Sequence, residues 1–290
     1  MHNNDFDPIQ FKSAQQQSWN IAAAGWQKWW KTFEASTQVV SDRLIELAGV
    51  KQDYRVLDIA TGVGEPAISA AKIVGKTGHV TAIDASSGML AIAEERARAA
   101  GLLDIIDFKL CDAEELKLDT NQGFNAILCR WGLMFLLNLD NALSNFYNKL
   151  VSGGRLAAAV WPDPSRVPSV NLPMTVVREQ LKAPLPAPGI PGPFSLANLD
   201  ILKTSLLKAG FKDIQSETVA VTFEFDSVED YTKFNQDVAT QVRAMLVNES
   251  EKRKEEIWQA VTNQAKIRFA DQSGHVKVVN ESICVVAVKE

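Results

Sequence analysis

Between residues 55 and 161 the chain alternates two patterns. Short apolar runs end in a glycine or an acid, and stretches with apolar residues at helical spacing follow them. The runs at 55–59, 79–83, 106–110, 126–129 and 155–161 read as strands, and 66–74 and 88–100 as helices. Pro66 falls in a first helical turn, where its missing amide does least harm, and Gly101 closes the second helix. Strand and helix in regular alternation predict a doubly wound parallel sheet with right-handed crossovers. Upstream, 13–47 reads as one or two helices. It carries Trp19, Trp26, Trp29 and Trp30, of which 19, 26 and 30 share a face at spacings of seven and four.

Beyond 161 the pattern changes. Nine of the eleven prolines lie between Pro162 and Pro193, which predicts a stiff, irregular connection with a helix around 170–182. A helix over 196–209 ending in Gly210-Phe211, a strand over 214–225, two helices within 227–269 and a last strand over 276–289 complete the reading. The second helix of 227–269 is expected to be capped near Asn248 or Ser250. The chain divides into an amino-terminal helical lid (1–50), a sheet-containing core (51–225 and 271–290) and a helical cap (226–270).

Composition narrows the function classes. A chain of 290 residues buries roughly three quarters of its unfolded surface. A net charge of −5 argues against a nucleic-acid partner. No apolar run reaches the length of a membrane span, so integral membrane association is not expected. Met1-His2-Asn3-Asn4-Asp5 lacks a signal-peptide pattern, so a cytoplasmic location is expected. Cys111, Cys129 and Cys284, each in a predicted strand, are expected to be reduced thiols, and the three histidines have no metal-ligand spacing. No metal is expected.

The chemistry concentrates at one turn. Val56-Leu57-Asp58-Ile59-Ala60-Thr61-Gly62-Val63-Gly64-Glu65-Pro66 is a strand ending in a glycine loop that opens a helix, and Val80-Thr81-Ala82-Ile83-Asp84 is a second strand ending in an acid. Glycines let backbone amides approach a ligand, and a carboxylate can accept from both ribose hydroxyls, so the pair suits a nucleoside. Read as Gly62-x-Gly64-x-x-Ala67, the loop also fits the dinucleotide fingerprint. Asp58 and Glu65, however, bracket the place where a pyrophosphate would sit. Two carboxylates there suit a cationic ligand such as S-adenosylmethionine. Glu65 reads equally as cofactor contact or as compensation of the helix dipole.

From Val39 to Trp161 the chain resembles the class I S-adenosylmethionine-dependent methyltransferases, in their ubiquinone/menaquinone-biosynthesis, small-molecule branch. Val56 to Gly64 resembles the first motif, with Ala60 in place of its usual first glycine. Asp84-Ala85-Ser86-Ser87-Gly88-Met89-Leu90 resembles the ribose motif, and Cys111-Asp112-Ala113-Glu114 the adenine-reading motif. Ile127-Leu128-Cys129-Arg130-Trp131-Gly132-Leu133-Met134-Phe135 resembles strand four with its active-site turn, and Leu150 to Leu156 the turn into strand five.

The resemblance implies a Rossmann-like, seven-stranded, mostly parallel sheet whose last strand inserts antiparallel between strands five and six. It also implies S-adenosyl-L-methionine held by Asp58, Ala60, Thr61, Gly62, Gly64, Asp84, Ala85, Met89, Asp112, Ala113 and Arg130. The role of Arg130 stays open between pairing with an acid and orienting a substrate. Trp131, Met134, Phe135 and Trp161, with Trp26 and Trp30 from the amino-terminal helix and the Ser227 to Phe269 cap above, are the candidate walls of an acceptor pocket. Such walls suit a hydrophobic ring or isoprenoid-like small molecule, methylated at O or C. Arg130-Trp131-Gly132 stands where amide- and adenine-methylating relatives carry Asn/Asp-Pro-Pro-Tyr, which argues against those acceptors. No motif nominates a catalytic base or an oligomeric state. A nicotinamide-dependent oxidoreductase and a catalytically silent cofactor-binding protein remain the alternatives.

Overall fold

The computed structural model describes residues 7–118, 122–187 and 189–290; the amino-terminal stretch 1–5 read above lies outside them. Strands β1 (Arg55–Ile59), β2 (His79–Asp84), β3 (Ile106–Leu110), β4 (Phe124–Arg130) and β5 (Leu150–Val160) run parallel. β7 (Val276–Val288) lies antiparallel between β5 and β6 (Lys212–Phe225), giving one sheet ordered β3-β2-β1-β4-β5-β7-β6. The doubly wound, Rossmann-like sheet with an antiparallel last strand is therefore present. Leu57, Ile59, Ile83, Ile127 and Leu128 are fully buried, as expected of central strands covered on both faces.

Register positions the site. Val56 pairs with Val80 on one side and Ala126 on the other, so the carboxyl ends of β1, β2 and β4 sit side by side. Ligands of doubly wound sheets bind at that edge, where the strand order reverses. Helices α2 (Ala67–Val74), α3 (Ser87–Ala99), α4 (Leu139–Lys149), α5 (Pro168–Leu181) and α6 (Leu199–Ala209) follow the strands. α3 starts at a Ser86 cap that accepts from Met89 N–H, and α6 ends at Gly210, φ 103°. The alternation of strands implied a crossover between the fourth and fifth without locating it. α4 fills it, capped by Asn138 and burying Ala142, Leu143 and Phe146.

Three differences from the sequence expectations matter. Of the one or two helices expected over 13–47 the segment forms one, and it starts earlier than expected: α1 (Pro8–Leu47), capped by the Asp7 carboxylate and buried from Ala22 onward on α3 and the sheet. The segment 227–269 forms three helices rather than two: α7 (Val228–Val238), α8 (Thr240–Leu246) and α9 (Glu251–Phe269). The additional break falls at Ala239, whose φ −83° and ψ 84° leave helical space, and Ser250 caps α9. Cys111 lies just past β3 and is half-buried, whereas Cys129 and Cys284 are buried within strands. Where α1 crosses α7, Gly25 rests against the Asp237 carbonyl, so even a methyl there would collide with backbone. Among the described residues, no helix is long and apolar enough to cross a membrane.

Candidate functional site

The loop after β1 is built by backbone that few residues tolerate. Ala60 takes φ 54° and Gly62 φ 55°, both left-handed. A Cβ on Gly62 would meet nothing within 4 Å, so this turn offers open space beside its amides. Ala60 supports the usual glycine at its position by exception, because an alanine in left-handed space costs about 1–2 kcal/mol. Gly64, at φ 104°, serves packing instead: a Cβ there would press on Ile68 Cδ1 at 2.8 Å and Ala93 Cα at 3.3 Å.

Asp84, at the end of β2, ties the loop to α3. Its Oδ2 accepts from Gly62 N–H at 2.8 Å and its Oδ1 from Ser86 N–H at 2.8 Å. Burial raises its pKa, while the amides of Ser86, Gly62 and Ala85 oppose the rise. Each carboxylate oxygen keeps further acceptor capacity toward the cavity it lines. Asp112, after β3, accepts from Glu114 N–H at 2.8 Å and from Lys12 Nζ at 2.8 Å. Lys12 also reaches Glu114 at 3.0 Å, so α1 straps the adenine-reading segment.

A cavity of about 530 Å³ runs along this edge. Of the residues expected around a cofactor, Ala60, Thr61, Gly62, Asp84, Ala85, Met89, Asp112, Ala113 and Arg130 line it. Asp58 and Gly64 do not. Asp58 is wholly buried and holds the start of α2, accepting from Ala67 N–H at 3.0 Å. Of the expected acceptor walls, Trp26, Trp131, Met134, Phe135 and Trp161 line the cavity. Trp30 does not; its ring packs under the Arg96 guanidinium at 4.2 Å. Trp131 sits at φ 58°, held by Trp131 N–H to Ala159 O at 2.9 Å, by Nε1 to Ser282 Oγ at 3.1 Å, and by stacking on Trp161 at 4.2 Å. A bulky residue in left-handed space is a strain that its surroundings must enforce.

Arg130 lines the cavity but spends its guanidinium on α1. Nη1 and Nη2 take both oxygens of Glu34 at 3.0 Å, and Nη1 also donates to Thr37 and Ser41. Of the two roles left open, pairing with an acid is the one its geometry serves. Sequence reasoning missed Ser169 and Phe223 as cavity walls, and it placed the amino-terminal helix and the cap over the pocket without naming Phe33, Phe234 or Asn235. Alternation along β6 marks Phe223 as buried, but nothing local says which layer it meets.

Asp58 carries a pH consequence. Burial pushes its carboxyl up to about 7, above the roughly 3.9 of an unfolded chain. A raised folded-state pKa means that its contribution is fully present below about 4 and is lost as pH rises through about 7. Asp58→Asn keeps an acceptor for Ala67 N–H and carries no charge. Urea denaturation is expected to show it gaining stability over the wild type as pH rises from about 4 to about 7, with the difference levelling off above. A constant difference across that range would contradict the assignment.

Comparisons with known proteins bear on this geometry. Residues 56–154 match a family model described as a methyltransferase domain. The ubiquinone/menaquinone biosynthesis C-methyltransferase of Pseudomonas entomophila is 32% identical over 146 residues, covering 50% of this chain and 53% of that protein. The chain thus spans about half the length of the curated relatives it matches. A Haemonchus contortus phosphoethanolamine N-methyltransferase 2 in complex with S-adenosyl-L-methionine superposes with TM-score 0.51 at 20% identity, over 85% of this chain and 51% of that one. The [4+2]-cyclase SpnF superposes with TM-score 0.51 at 20% identity, over 86% and 80%. At such identities the two structures speak for the fold alone. Among the described residues, no group of three or more His, Cys, Asp or Glu could hold a metal.

Proposed function

We propose, for a chain that belongs to the class I S-adenosylmethionine-dependent methyltransferases and is similar to their ubiquinone/menaquinone-biosynthesis branch, that it methylates a hydrophobic small molecule at O or C. The observation that carries the reading is one continuous cavity. It opens at the glycine turn and Asp84 and extends between aromatic walls. The cofactor fits the residues present: Gly62 leaves its Cβ direction free, and Asp84 faces the cavity with acceptor capacity to spare.

When bound, S-adenosylmethionine supplies a methyl group already activated on a sulfonium. Everything else falls to the chain. Asp84 would accept from the ribose hydroxyls, the open space beside Gly62 would take the methionine end, and Asp112 with the Ala113 amide would read the adenine edge. Asp112 reaches that edge in competition with Lys12, which holds its Oδ2 here. Trp26, Trp131, Met134, Phe135 and Trp161 exclude water and orient an apolar acceptor. Positioning of this kind contributes roughly 7–11 kcal/mol to a bimolecular transfer.

The test is calorimetric. S-adenosylmethionine and S-adenosylhomocysteine are expected to bind the full chain, and NAD(H) is expected not to. Binding of the dinucleotide instead would return the chain to the oxidoreductase reading. Incubation with radiolabelled methyl donor and a lipid-soluble extract is then expected to label an apolar product. Tight binding without label would favour a role in binding alone.

A further inference from the structure

Five charged side chains are gathered behind the glycine turn, away from bulk water. Glu34 is 7% exposed, Glu65 5% and Asp58 0%, and the side chains of Arg130 and Arg96 are 6% and 11% exposed. Two glutamates, with Asp58 about half charged near pH 7, thus stand against two guanidiniums, and the pairing is unequal. Glu34 receives Arg130 through both oxygens, and Asp58 has the Ala67 amide. Glu65 has the Ser69 amide at 3.3 Å and Arg96 at 3.9 Å, a guanidinium it shares with Glu34, also at 3.9 Å. Of the three acids, Glu65 alone lines the cavity, next to Thr61, Gly62 and Val63. Asp84, Asp112 and Glu114 add negative charge to the same wall against Lys12.

We infer that Glu65 reads the charge of the methyl donor, its under-compensated carboxylate favouring the cationic S-adenosylmethionine over the neutral, demethylated S-adenosylhomocysteine. The inference rests on the proposed cofactor. A sulfonium carries a positive charge that the corresponding thioether lacks, and the two molecules otherwise present the same adenosine and amino-acid groups. A carboxylate removed from water senses that difference far more strongly than one in solvent, because the surrounding dielectric is lower. The same preference weakens the grip on the product once the charge has gone.

The experiment is a pair of titrations, S-adenosylmethionine and S-adenosylhomocysteine, on the full-length wild type, Glu65→Gln and Glu65→Asp. Gln retains an acceptor for Ser69 N–H but no charge; Asp retains the charge. Glu65→Gln is expected to cut the preference for S-adenosylmethionine by about tenfold, through that ligand alone, with S-adenosylhomocysteine within about twofold. Glu65→Asp is expected to keep most of the preference, and Glu65→Ala, which also lacks the charge, takes the place of the Gln variant should that fail to fold. Equal weakening of both ligands by Glu65→Gln would assign Glu65 to the support of α2 and Arg96 and overturn the inference, as would a ratio that Glu65→Gln leaves unmoved. A wild type that binds neither ligand would remove the cofactor reading and this inference with it, whereas binding of both with an unmoved ratio removes this inference alone.

Discussion

Asp84→Asn is expected to weaken binding of S-adenosylhomocysteine by about 30- to 150-fold. The figure corresponds to about 2–3 kcal/mol for hydrogen bonds to a charged acceptor. The carboxylate already serves the Gly62 and Ser86 amides, so the substitution does two things at once. It removes the charge offered to a sugar, and it sets an amide NH₂ against one of two backbone N–H groups. Calorimetric titration reads the first effect. A thermal melt of the unliganded variant reads the second, expected to fall by several degrees at most, since only one of the two backbone bonds is lost. An unchanged affinity would place the sugar elsewhere and remove the cornerstone of the proposed function.

Arg130→Met is expected to cost about 3–5 kcal/mol in stability, because it leaves the buried Glu34 carboxylate without its bidentate partner and with only the Arg96 guanidinium, at 3.9 Å. Thr37 and Ser41 would keep their hydroxyls there but could not neutralise it. Pairing the change with Glu34→Leu is expected to restore most of the loss, since buried ion pairs replaced on both sides by apolar groups are often neutral. Urea denaturation of the two singles and the double closes the cycle. Additive losses would show that the two side chains do not act on each other. The outcome also decides what Arg130 is for: a residue whose main effect is on folding holds α1 to β4, whatever it shows the cavity.

Much of the architecture was legible because each strand of the parallel half ends in a mark that chemistry requires. Gly62 and Asp84 announce their turn through conformation and charge, and both line the cavity. Gly64 and Asp58 belong to the same motif and were read with it, yet one accommodates α3 and the other caps α2. A motif locates a turn without distributing its residues between ligand and scaffold. Trp30 failed for a related reason: helical spacing puts it on a face with Trp26, but Arg96 of a distant helix takes its ring. The break at Ala239 carried no glycine or proline to betray it. The partner of Arg130 lies 96 residues away on α1, beyond any local pattern.

The two ends of α1 are held very differently. Its first turns bond Asp112, Phe135 O and Ala85 O through Lys12, Gln15 and Gln16, and among the described residues none before Ala22 is buried. Its later turns are anchored by Glu34 and an apolar face that includes Val40 and Leu44. The amino-terminal end is therefore the part that can fray while the rest of the helix stays docked. On the proposed function, such fraying would let donor exchange for spent donor while the aromatic end of the cavity stays covered. One helix is at once a latch for the first compartment and a fixed beam over the second.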